Sequence, residues 1–71
     1  MEKSFYYSVP WSEVSYLKEA LISMEIPFAI EQGDRLPLNP GEVVFVFPDL
    51  HIRIYQGVQE LFGEHGQPYP Q

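Results

Sequence analysis

Glu42-Val43-Val44-Phe45-Val46-Phe47-Pro48 contains five consecutive apolar residues and so has no polar face. An amphipathic helix cannot be built from such a run, whereas a strand covered on both faces can, and β-branched and aromatic side chains suit a pleated surface. Residues 43–47 are therefore expected to form the central strand of a small sheet. Pro48 cannot donate a ladder hydrogen bond and closes it. Upstream, Asn39-Pro40-Gly41 has the chemistry of a type II turn, with Pro preset at the second position and Gly free to take positive φ at the third.

Working outward, Phe5, Tyr7 and Val9 alternate with Tyr6 and Ser8, which predicts a half-buried strand over residues 4–9, stopped by Pro10. Ser12 is the expected N-cap of a first helix, with Glu13 in its first turn and Trp11 placed to staple onto Tyr16. Val14, Leu17, Leu21 and Met24 recur at helical spacing beside Ala20, and Pro27 disfavours helix beyond Glu25. Ile26, Phe28 and Ile30 then alternate in a second strand, where Pro27 predicts an edge position. After the central strand, Asp49 is the expected cap of a second helix with the stripe Leu50, Ile54, Val58, Leu61 and Phe62. The competing reading is a strand over residues 51–56 followed by a short helix over residues 57–65. One long helix is preferred.

The chain has 71 residues and no Cys. One domain of this size buries roughly 60% of its unfolded surface, close to the lower limit for a self-supporting core. Residues 1–66 are expected to form it, with 67–71 as a flexible tail because Pro68 and Pro70 make poor ladder partners. Without Cys there is neither a disulfide nor a thiolate zinc site, and two His are too few for an ordinary protein-only zinc site. No cofactor or metal is expected, and oligomerisation is left as the means of enlarging the core. Ten acidic residues against four basic ones give a net charge of −6. That balance, with Lys3, Lys18, Arg35 and Arg53 scattered along the chain, argues against nucleic acid as a partner. No stretch approaches the ~20 apolar residues of a membrane span, so no membrane association is expected. Met1-Glu2-Lys3-Ser4 leads directly into strand-like sequence, and the expected location is cytoplasmic.

The order strand, helix, strand, strand, helix predicts an α+β fold. A right-handed crossover makes the first two strands parallel, and the third fits between them in the order 1-3-2, with both helices on one face. This βαββα arrangement is a truncated ferredoxin-like one with a three-stranded sheet. Within it, Leu21-Ile22-Ser23-Met24-Glu25-Ile26-Pro27-Phe28 resembles the helix-to-strand passage of such domains, among them small prokaryotic signal-transducing domains of unknown function. In those, Gly usually stands where this chain has Glu25. The resemblance implies a regulatory role.

Catalysis needs converging reactive groups, and the sequence has neither a Gly-x-Ser-x-Gly setting nor a Gly-rich phosphate loop. Asp49 and His51 place a carboxylate and an imidazole two residues apart, and with Arg35 they are the candidate ligand site. Residues 32–41 form a long loop containing Leu36 and Leu38. With Phe5, Tyr6 and Tyr7 of the first strand, these two leucines are the candidate interface. The expected function is that of a small acidic interaction or regulatory module acting as a homodimer and not as an enzyme. The alternative is a small-ligand binder or enzyme whose site is built between subunits from the 32–41 loop and His51.

Overall fold

The structure, a computed structural model, describes residues 1–31 and 39–70. Its elements are β1 (Phe5–Pro10), α1 (Val14–Ser23), β2 (Ala29–Glu31), β3 (Glu42–Phe47), α2 (Ile52–Phe62) and β4 (Gln67–Pro68), with one 3-10 turn at Trp11–Glu13. The strands form a single antiparallel sheet in the order β2-β3-β1-β4. The α+β class, the two helices and the central position of residues 43–47 are as expected. The three-stranded sheet is not: a fourth strand lies outside β1. Where a flexible tail is expected, Gln67–Pro68 pairs with Tyr6 and Phe5.

Proline chemistry accounts for that difference. The Trp11 N–H donates to the Gly41 carbonyl at 2.8 Å on the β3 side, so odd-numbered residues of β1 turn their backbone groups toward β3 and even-numbered ones toward β4, where the Tyr69 N–H meets the Ser4 carbonyl at 3.0 Å. Pro68, opposite Phe5, therefore has its nitrogen on the outer side, where no donor is required. The two prolines are compatible with the strand instead of forbidding it.

β3 is buried from Val43 to Phe47 and separates two apolar layers. Val43, Phe45 and Phe47 join Phe5, Tyr7 and Val9 of β1 in a core with Val14, Leu17 and Leu21 of α1 and Val58 of α2. Both helices thus cover one face of the sheet. Phe62 stacks on Tyr7 at 4.2 Å between ring centroids, and Phe5 stacks on Phe47 at 5.0 Å. Val44 and Val46 face the other way, with Tyr6 and Tyr69 packed against them.

The expected turn before β3 is present. Glu42 N–H donates to the Asn39 carbonyl at 3.1 Å, and Gly41 takes φ +83° at the third position. The start of α1 differs from expectation: Ser12 makes no capping hydrogen bond. Pro10 ends β1 with extended geometry and Trp11 N–H bonds the Gly41 carbonyl, which commits residues 11–13 to a tight 3-10 turn before the α-helix begins. Trp11 and Tyr16 remain exposed, so the expected staple buries neither ring.

The end of α1 closes with Glu25 at φ 58°. Its N–H reaches the Ile22 carbonyl and that of Ile26 reaches the Leu21 carbonyl, both at 3.0 Å. This double bond pattern is a Schellman motif, which requires a left-handed residue at the position Glu25 fills. Ile26 consequently belongs to the turn and packs into the core, and β2 begins only at Ala29. α2 begins at Ile52 with His51 as its N-cap, in place of Asp49. That start turns Tyr55, Val58 and Phe62 toward the sheet and leaves Ile54 exposed.

Candidate functional site

The polar chemistry of the open sheet face gathers around Tyr69, which directly follows β4 at one edge of the sheet. Its side chain lies across Val44, Val46 and Tyr6, and its hydroxyl donates to Glu31 Oε1 at 2.9 Å. Glu31 ends β2 at the opposite edge. The two side chains together therefore bridge the sheet face. Lys3, just before β1, forms an ion pair with Glu31 Oε2 and donates to the Tyr69 hydroxyl at 3.4 Å. Its ammonium also stands 5.1 Å from the Tyr69 ring centroid, a cation–π distance. The hydrogen bond to Glu31, and after it that to Tyr69, raise the Lys3 pKa above its ordinary value. Lys3 thus stays protonated and engaged at neutral pH, which suits a clamp and not a nucleophile or base.

Next to this cluster, Glu2, Lys3, Ser4, Pro48 and Asp49 line an open cleft of about 570 Å³. Asp49 of the candidate ligand site lies here. His51 does not join it: its Nδ1 accepts from the Arg53 N–H at 3.2 Å and caps α2. The imidazole is committed to a structural bond. Arg35, Leu36 and Leu38 lie outside the described residues. Of the candidate interface, Phe5 and Tyr7 are buried beneath the helices, and Tyr6 packs edge-on to Tyr69 with ring centroids 6.3 Å apart.

A second polar group lies where α2 leads into β4. The Tyr7 hydroxyl donates to the Glu64 carbonyl at 2.9 Å, and the Tyr55 hydroxyl accepts from the Gly66 N–H at 3.2 Å. Burial first, then the neighbouring Tyr55, push the Tyr7 pKa far above the ordinary phenol range. These hydroxyls hold the backbone of residues 64–66 against the core. Gly66 is pressed so closely that a Cβ there would lie 2.5 Å from Cδ2 of Phe5.

Among the described residues, no three His, Cys, Asp or Glu side chains converge to hold a metal ion, and no helix is long and apolar enough to cross a membrane. No protein-family model, curated protein or solved structure matches the chain. The residues that sequence reasoning missed are Lys3, Glu31, Gly66 and Tyr69. The available signal was Tyr69 itself, an aromatic between two prolines in a segment otherwise too polar to need one.

Proposed function

We propose that this chain is a small acidic interaction module that works through protein–protein contacts and self-associates as a homodimer at the outer side of β1. The observation that supports this reading is the mismatch between two neighbouring strands: β1 has six residues, β4 has two, and β4 covers only Phe5 and Tyr6. Among the described residues, no strand pairs with the outer side of residues 8–10. Ser8 continues the even-numbered series that faces outward, so its N–H and C=O point to that side. Unpaired edges of this kind recruit other strands. Trp11 follows directly and is 57% exposed, placing beside the edge the residue type most often found at the energetic centre of interfaces.

Sedimentation equilibrium over the micromolar range tests the proposal. The expected result is a concentration-dependent dimer, weakened by at least about tenfold in Ser8→Pro, which removes the outward donor while keeping a residue an edge tolerates. A monomer mass at about 100 µM in the wild-type chain would refute it, since a dimer with micromolar Kd is mostly formed at that concentration.

A further inference from the structure

The apolar stripes of both helices are wider than the sheet they cover. Met24 and Ile54 continue those stripes at helical spacing, yet both are exposed, as is Tyr16. Tyr16, Ala20 and Met24 fall at i, i+4 and i+8 and make one row along α1, while Ile54, Gly57 and Leu61 fall at i, i+3 and i+7 and make one row along α2. The rows meet at Gly57, where the Met24 Cε lies 3.4 Å from the place a Cβ would occupy. The outer side of the helical layer therefore carries an apolar seam joined across the two helices, with Ala20 and Leu61 half-buried along it.

Gly57 is the part of this seam that the domain's own fold does not explain. It stands in the middle of α2, where Gly weakens a helix relative to Ala. Gly41 and Gly63 take positive φ and Gly66 is pressed against Phe5, but a Cβ at position 57 would meet only the tip of a flexible Met side chain at an ordinary contact distance. A missing side chain on the outer side of a helix leaves room for another chain to approach closely. Met24 beside it is unbranched and adapts its shape to what is placed on it.

The rim selects the occupant. Glu13, Glu19, Glu25, Glu60 and Glu64 stand exposed on the two helices and at their ends, and none makes an ion pair with a described residue. Arg53, four residues before Gly57, is the base that shares this rim; Lys18 is two positions from both Tyr16 and Ala20 and so lies on another side of α1. Five carboxylates against one guanidinium repel a second copy of this chain or an anionic lipid surface and attract a basic segment. We infer that the seam between α1 and α2 is a docking site for a basic amphipathic helix of another protein, its apolar side on Met24, Gly57 and Ile54 and its Lys or Arg side chains among the glutamates. The inference rests on the reading of the chain as an interaction module and assigns the partner to a surface separate from the outer side of β1.

The test is fluorescence anisotropy of a labelled peptide of about 18 residues, with Leu repeating at helical spacing on one side and Lys on the others, titrated with the full chain. Saturable binding below about 100 µM is expected, weakened at least about tenfold by each of two variants. Gly57→Gln sets a side chain in the approach and is a better helix former than Gly, and Ile54→Ser removes an exposed anchor. Affinity is expected to fall between about 0.1 and 1 M salt, as the screening length shortens from ~10 to ~3 Å. A peptide with Glu in place of each Lys is expected not to bind. No saturable binding by about 100 µM overturns the inference, and so does equal affinity for the wild-type chain and Gly57→Gln, which places the peptide elsewhere on the acidic surface. Binding of phosphatidylcholine vesicles that is abolished by Ile54→Ser assigns the seam to lipid and overturns it too. A dimer that sedimentation finds in the wild-type chain but not in Gly57→Gln makes the seam a contact between copies, with the same consequence. Peptide binding as expected, with a monomer mass in both chains, upholds the seam and refutes only the self-association at β1.

Discussion

Replacing Tyr69 separates the two contributions that hold the open face closed. Tyr69 is 7% exposed and packs on Val44 and Val46, while its hydroxyl binds Glu31. Tyr69→Phe keeps the ring and removes one hydrogen bond to a carboxylate. Such bonds contribute about 1.5–3 kcal/mol when well shielded, but Lys3 continues to satisfy Glu31 and the cluster is partly solvated, so about 1 kcal/mol is expected. Tyr69→Ala also removes the ring. Buried aromatic deletions cost about 3–5 kcal/mol, and the low end applies because the vacated space opens to water instead of leaving a sealed cavity. A 71-residue domain has roughly 4–10 kcal/mol of stability in all, so a loss of about 3 kcal/mol is a large share. Urea titration followed by far-ultraviolet circular dichroism measures both. Trp11 is a poor reporter because it is already exposed in the native state. If Tyr69→Ala lowered stability by less than about 1 kcal/mol, or by no more than Tyr69→Phe, the ring would not be covering the sheet and the reasoning would fail.

Glu25→Gly is expected to stabilise the chain by about 0.5–1 kcal/mol, since it relieves a left-handed residue of its Cβ and removes a negative charge from a helix C-terminus; a lower urea midpoint would contradict the Schellman assignment. His51→Ala removes the N-cap of α2 and should lower stability by about 1 kcal/mol, with His51→Asn restoring most of it. Phe45→Ala, in the fully covered strand, should cost about 3–5 kcal/mol, and a loss below about 1 kcal/mol in urea would place Phe45 outside the core. For pH, Lys3 and Tyr7 both have pKa values raised in the folded chain from 10.5 and 10.0. The unfolded chain therefore releases these protons first, and stability present below about pH 10 falls as the pH rises further. Urea midpoints on either side of that value should show the fall, with a shallower slope in Tyr7→Phe; an unchanged slope there would remove Tyr7 from the account.

The parts of the fold that could be read in the sequence are those in which several residues express one demand. Five apolar residues in succession specified a strand covered on both faces, and Asn39-Pro40-Gly41 specified the turn before it. The periodicities of Val14, Leu17 and Leu21, and of Val58 with Phe62, specified two helices on one face. Reading failed where a single residue overrode its usual chemistry. His51 caps α2 although Asp49 is the better capping type, because the helix begins at Ile52. Glu25 takes a conformation that normally calls for Gly. Pro68 sits in a strand because its missing donor points outward. The Lys3, Glu31 and Tyr69 cluster draws on three widely separated points in the sequence, and no local pattern links them.

The cluster has a physical cause in the central strand. A strand apolar on both faces needs two covers, and the helices supply one. On the other face, the described chain offers Tyr6 from β1 and Tyr69 beyond β4. A ring in that role lies over the middle strands, and its hydroxyl, set on apolar surface, requires an acceptor there. Glu31 is that acceptor, and a carboxylate so placed over apolar surface needs a cation of its own. Lys3 provides it as one of only four basic residues in the chain. The cover is thus held by one side chain, a two-residue strand and the Tyr69 N–H bond to Ser4, so Tyr69 carries the largest share of it.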